Sequence, residues 1–199
     1  RECQSAGIPI LPPDVNESGE TFQATHQGIR FAMTGIKGVG AGVVAAIVEE
    51  RKKRGAFKSF YEFFKRMDTK KVGKKVVESL VEAGSFDFTG WSRDALLMTI
   101  DPIHTATLKE KKEHSLGILS LFSKIEDGNE ARFSQPPEVK QAAARQEILQ
   151  KEKALLGFFL TGHPMDDYKH ILHRLSCIPL RRLDQMEHGA VFRSASIVE

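Results

Sequence analysis

The run Ile36-Lys37-Gly38-Val39-Gly40 constrains this chain most, because a segment with helical spacing comes directly after it. Val43, Val44, Ile47 and Val48 recur as one helix face, and Gly55 ends the run. A tight Gly-x-Gly turn leading into a helix fits a helix-hairpin-helix unit. Glycines accept positive φ and let the backbone approach a ligand closely. Amides at a helix N-terminus lie unpaired at the positive end of the helix dipole, where they can donate to a phosphate oxygen. Lys37 adds charge beside them. No base edge is read in this way, so the contact is indifferent to sequence.

A second unit lies downstream. Phe60 to Met67 reads as a helix with Ser59 as its N-cap, residues 68–73 as a hairpin, and Lys74 to Ala83 as the next helix, closed by Gly84. This hairpin has one glycine, so taken alone it is equally an ordinary helix turn. Charge adds to the argument. Residues 51–75 carry eleven Lys and Arg against Glu62 and Asp68, in a chain of 199 residues whose net charge is only +3. Clustered cations are the footprint of a phosphate-rich partner, although a solvated helix face gives the same run. Two hairpins in tandem inside the cluster favour the DNA backbone. The candidate contacts are Lys37, Gly38, Val39 and Gly40 in the first unit. In the second they are Lys70, Lys71, Val72, Gly73 and Lys74.

Competing chemistry is thinner. Gly40-Ala41-Gly42-Val43-Val44-Ala45 satisfies the dinucleotide fingerprint formally, but that fold needs an acidic residue closing a second apolar strand about 20 positions on. The chain has Arg51-Lys52-Lys53-Arg54 and a Phe-rich helix there instead. No Asp-x-Asp pair exists to hold two Mg²⁺ ions, so no catalytic residue is expected here. His163, Asp166, His170 and His173 share a helical face at metal-ligand spacing. They lack a matching partner cluster, and no metal site is expected from them. Cys3 and Cys177 stand far apart, which argues against a disulfide or zinc framework. The longest apolar run, residues 154–160, is far short of the ~20 that a membrane helix needs. The expectation is a soluble, cytoplasmic protein with no membrane partner. The absent initiator Met and a final stretch that reads as a strand just beginning suggest a piece of something longer.

The remaining segments predict a mainly α fold. Prolines make residues 7–16 extended. Residues 20–25 and 28–33 read as strands of a hairpin. A fourth helix starts after Ser92, with Asp101-Pro102 expected to interrupt or kink it before Leu116. Residues 117–138 read as loop, and Val139 to about Thr161 as one long helix. Pro164 suits the first turn of a helix running to about Leu175. Strand character returns at Ile178 and in the last residues. Within the loop, Ile118-Leu119-Ser120-Leu121-Phe122 is either a docking peptide with two apolar anchors or a segment folded onto its own core.

Residues 11–16 (Leu-Pro-Pro-Asp-Val-Asn), 35–40, 78–87 and 156–164 (Leu-Gly-Phe-Phe-Leu-Thr-Gly-His-Pro) resemble, in the same order, segments of the bacterial replicative polymerase family, the DNA polymerase III alpha subunits. The resemblance spans nearly the whole chain. It implies the end of a fingers region (1–34), a tandem helix-hairpin-helix domain (35–116), a clamp-binding loop (117–138), a helical connector (139–175) and the start of an OB-type β domain (176–199). Ile118 to Phe122 falls where that family carries its sliding-clamp motif. Ser120, Leu121 and Phe122 match the motif, while Ile118 stands where Gln is usual. The family's catalytic carboxylates belong upstream. The resemblance therefore implies a DNA-directed DNA polymerase as parent, using Mg²⁺, and a non-catalytic fragment without a cofactor of its own. The implied partners are product duplex DNA, the sliding clamp and other replicase holoenzyme subunits. A helix-hairpin-helix module of a repair or recombination protein is the alternative.

Overall fold

Pro9, Pro12 and Pro13 lack amide donors and fix φ, so beyond the short helix α1 (Glu2–Ser5) the chain runs extended through β1 (Ile10–Leu11). The expected hairpin is formed by β2 (Gln23–Thr25) and β3 (Gly28–Arg30). The sheet order is β1-β3-β2, with β1 parallel to β3 and β2 antiparallel to it, and Ile29 lies opposite both Ile10 and Ala24. These features belong to a computed structural model that describes residues 2–69, 71–115, 124–140 and 142–197. Two units are distinguished, Arg1–Leu160 and Thr161–Glu199.

The first unit is mainly helical: α2 (Ala41–Arg54), α3 (Phe60–Arg66), α4 (Lys74–Glu82), α5 (Arg93–Ser115), α6 (Lys124–Arg132) and α7 (Arg145–Leu156). Its core is aromatic. Phe57, Phe60, Phe63, Phe64 and Phe86 are buried and meet mostly edge to face, with centroids 4.8–6.1 Å apart. This is the preferred ring geometry, because the positive edge of one ring meets the negative face of the next. Val44 and Ile47 of α2, Val77 and Leu80 of α4, and Leu96, Ile100 and Ile103 of α5 close around the rings.

The N-terminal segment is bonded to this core. The Asn16 side chain donates to the Phe57 carbonyl at 3.0 Å and accepts from the Phe57 amide at 2.7 Å. Arg51 donates to the Val15 carbonyl at 2.8 Å. The segment 11–16 thus acts as a strap with Val15 fully buried beneath it.

Helix ends obey local chemistry where a cap was visible. Ser59 accepts from the Glu62 amide at 3.0 Å, and Gly55 and Gly84 end their helices at positive φ. Elsewhere the structure corrects the sequence reading. Pro102 lies inside α5 without interrupting it. The lost amide would have served the Met98 carbonyl, and Met98 is exposed, while Leu96, Ile100 and Ile103 hold the opposite face in the core. The loop expected over 117–138 contains α6, whose internal Gly128 is unfavourable for a helix. Asn129 donates to Glu110, and Phe133 stacks on Tyr61 at 5.5 Å, so tertiary contacts override propensity.

The long helix expected from Val139 is confined to α7. Its start is displaced because the Ala143 amide donates to Asp94 at 2.7 Å and Ala144 is extended. Gly157, in the left-handed region, ends it.

In the second unit, Pro164 opens a 3-10 turn (Pro164–Tyr168) that runs into α8 (Lys169–Arg174). Strand character at Ile178 and beyond is not met among the described residues. Leu180–Gln185 forms a 3-10 turn instead. A ladder needs repeated pairing, and here the Ile178 amide makes one such bond, to the Arg193 carbonyl at 2.8 Å.

Candidate nucleic-acid interface

A 3-10 turn over Met33–Gly35 delivers the chain to the first hairpin. Ile36 and Val39 are buried and fix the loop to the core, leaving Lys37, Gly38 and Gly40 exposed. The Val39 amide donates to the Ile36 carbonyl at 3.0 Å. Gly38 has φ +88°, where a side chain would be strained. Gly40 is the N-cap of α2, and its carbonyl accepts from the Val43 and Val44 amides at 3.0 and 3.2 Å.

The second hairpin repeats the device 33 residues later. Val72 is the buried anchor and Lys71 is exposed. Gly73 caps α4 with φ −73° and ψ 161°, against −78° and 153° at Gly40. Its carbonyl accepts from the Val76 and Val77 amides at 3.0 and 3.2 Å. The turn itself differs. Lys71 and Val72 both donate to the Asp68 carbonyl, at 3.0 and 2.9 Å, and no residue of this turn among those described has positive φ. That difference explains why one glycine suffices. Lys70 lies outside the described residues.

Both caps face open space: a Cβ built on Gly40 or Gly73 meets nothing within 4 Å. First-turn amides of any helix lack intrahelical acceptors, so Gly40, Ala41 and Gly42, and likewise Gly73, Lys74 and Lys75, present donors outward. The two hairpins also lie close together, since a Cβ on Gly38 would stand 3.3 Å from the Ser79 hydroxyl of α4.

The basic run does not form one face. Arg66 is a structural knot with its side chain 6% exposed. It bonds Glu50 and Glu62 at 3.1 and 3.2 Å and the carbonyls of Glu50, Gly55 and Ala56, and it lies 4.2 Å over the Phe57 ring. Arg51 is spent on the strap, and burial lowers its pKa. Arg54 pairs with Glu50 at 3.4 Å, and Lys74 pairs with Asp101. Lys52, Lys53, Lys58, Lys65, Lys71 and Lys75 of the run, with Lys37 before it, are exposed and have no ion-pair partner among the described residues. Lys53 and Lys71 line one cleft of about 200 Å³ between α2 and the second hairpin, together with Glu49, Glu50 and Asp68.

Two supporting residues were not visible to sequence reasoning. Lys111 of α5 donates to the carbonyls of Phe64 and Met67 at 3.0 and 2.6 Å, closing the end of α3 just before the second hairpin. Burial pushes its pKa down. Glu152 of α7, fully buried, accepts from Arg93 at 2.9 Å and from the Leu160 amide at 3.2 Å. Arg93 reaches on to Asp87 and the Glu82 carbonyl; burial opposes its charge, but the bonds to Asp87 and Glu152 outweigh this and raise its pKa. The same helix supplies the Leu155 carbonyl that accepts from the Lys37 amide at 2.9 Å. Neither residue has a local signal, because their partners lie 8 to 59 positions away.

Ile118, Leu119, Ser120, Leu121 and Phe122, the candidate docking peptide, lie outside the described residues. His163 serves as an N-cap, accepting from the Met165 amide at 3.2 Å, while Asp166 accepts from the His163 amide at 2.7 Å and pairs with Lys169. Among the described residues no group of three or more His, Cys, Asp or Glu could hold a metal ion. No helix there is long and apolar enough to cross a membrane.

Residues 7–96 match the helix-hairpin-helix motif family. Along its whole length the chain is similar to the DNA polymerase III subunit alpha of Chlamydia pneumoniae, with 43% identity over 201 residues and 16% of that protein covered. The subunit of Thermus aquaticus is 35% identical over 179 residues, 89% of this chain and 14% of that protein. That of Vibrio cholerae is 35% identical over 181 residues, 88% and 15%. The chain spans about one-sixth of the length of the curated relatives it matches.

Proposed function

Because the chain belongs to the DNA polymerase III alpha-subunit family, we propose that it is the part of a replicative DNA polymerase that grips product duplex by its phosphates and docks on the sliding clamp. The observation that carries the DNA grip is the paired N-caps, Gly40 and Gly73, with near-identical dihedrals and open space in front of each. Outward amides with Lys37, Lys71 and Lys75 around them fit phosphate oxygens, and nothing in the arrangement reads a base. DNA-directed synthesis with Mg²⁺ belongs to the parent, and no step here runs through a metal. This chain contributes no catalytic group. Cytoplasmic location and contacts with other holoenzyme subunits go with that role.

Clamp docking rests on Ile118 to Phe122. Tethering raises effective concentration, so a weak contact lengthens each binding episode. The division into fingers end (1–34), hairpin domain (35–116), clamp loop (117–138), connector (139–175) and OB start (176–199) belongs to the same proposal.

The test is duplex binding across a salt series. The expected result is affinity falling with a log–log slope of about −0.9 per phosphate neutralised, equal for unrelated sequences. Replacing Lys37 and Lys71 by Glu weakens all duplexes alike. Salt-independent binding would contradict the grip. For the clamp, Leu121→Ala/Phe122→Ala abolishes binding if the loop is the tether, and unchanged binding moves the contact elsewhere.

A further inference from the structure

The two hairpins share a cap but differ in the residue just inside the helix. That residue is Ala41 in α2 and Lys74 in α4. Lys74 does not stand free: its ammonium hydrogen-bonds the carboxylate of Asp101, carried on the neighbouring helix α5. The pair is at the surface, with Asp101 77% and Lys74 41% exposed. Surface pairs of this kind contribute little to folding. Among the described residues, Lys74 is the cation with which Asp101 forms an ion pair.

The geometry points to Asp101 as an internal rival of DNA phosphate at the second hairpin, its carboxylate accepting from Lys74 where a phosphate oxygen would. The inference rests on the phosphate-gripping role and deepens it by making the hairpins unequal. Hairpin one meets DNA with Lys37 and open glycine amides. Hairpin two already offers DNA its first-turn amides, Lys71 and Lys75; Lys74 joins them only by leaving Asp101, against the negative charge of that carboxylate. A carboxylate and a phosphate oxygen accept from an ammonium in the same manner, which is why the exchange needs no rearrangement of the backbone. The hydrogen bond from Lys74 also keeps the Asp101 carboxyl below its ordinary pKa, so the rival stays charged at neutral pH. A grip with one weakened contact suits a partner that must slide past the protein, since DNA held only by phosphates is free to move along its axis.

The test uses the 199-residue chain and a fluorescent duplex of about 20 base pairs and arbitrary sequence, read by anisotropy between about 50 and 200 mM salt. Asp101→Asn is expected to tighten binding about 3- to 10-fold at the low-salt end and to steepen the salt slope by roughly 0.9, one phosphate contact. Lys74→Ala alone is expected to lose less than about 2-fold, because Lys74 is already engaged. In the Lys74→Ala background the gain from Asp101→Asn falls below about 2-fold. Wild-type binding that Lys37→Glu weakens and Asp101→Asn leaves unchanged overturns this inference alone. An equal gain with and without Lys74 also overturns it, since the effect would then be one of net charge. If neither wild type nor Asp101→Asn binds at low salt, the grip and its rival fall together.

Discussion

Arg66 shows how little a charge run says about a single residue. Its guanidinium closes three carbonyls around the end of α2, pairs with Glu50 and Glu62, and covers Phe57. A fork of five fixed donors is needed for that, and a lysine ammonium has neither the donors nor the plane. Arg66→Ala is expected to cost about 2–3 kcal/mol in urea unfolding, since it removes five charge-assisted hydrogen bonds from a side chain that is itself buried and uncovers Phe57, and Arg66→Lys to recover little of it. His104 gives a prediction in pH. Burial first, then the charge of Lys74, lowers its pKa, and it meets Phe64 edge to face. The unfolded chain therefore takes up this proton more readily than the folded one. Stability falls as pH drops from about 7 through the ordinary histidine range, and the loss is complete below the lowered folded value. His104→Gln should shrink the difference in unfolding midpoint between about pH 7 and pH 5; an undiminished difference would place the sensitivity elsewhere.

At the scale of the element, the hairpins divide glycine's roles. Gly38 needs its positive φ, and a Cβ there would press on Ser79. Gly73 has ordinary dihedrals and open space. Gly38→Ala is expected to destabilise by about 1–2 kcal/mol, whereas Gly73→Ala should change stability by less than about 1 kcal/mol, N-cap preference being the only loss. Thermal melts of the two variants check the contrast. This division marks the limit of what could be read in advance. The turn of hairpin one, the caps at Ser59 and Gly55 and the β2-β3 pair were legible because each carries a signal within a few residues, although the hold of Leu155 on Lys37 was not. The early start expected for α7 failed for the opposite reason, and of the interruption or kink expected at Pro102 the interruption did not occur. Asp94 pins Ala143 from 49 positions away, and the packed face of α5 outweighs its missing hydrogen bond. The sorting of cations was equally hidden, since only tertiary structure separates Arg51 and Arg66 from Lys37 and Lys71.

For the molecule as a whole, α7 ties the interface together. Glu152 anchors it to Arg93, Arg93 reaches the end of α4, and the Leu155 carbonyl holds the Lys37 amide of hairpin one. Glu152→Gln keeps the shape but removes a charge from a buried pair, and a loss of about 2–4 kcal/mol in stability is expected, with Glu152→Ala costing more. In the proposed role both hairpins meet DNA through their first-turn amides and exposed lysines. Its most direct test is to track backbone amide resonances of the labelled chain as duplex DNA of arbitrary sequence is added. The largest shifts are expected on Lys37 to Gly42 and on Lys71 to Lys75, unchanged by the choice of sequence and reversed by salt. Shifts that leave both hairpins undisturbed and gather elsewhere on the surface would contradict it.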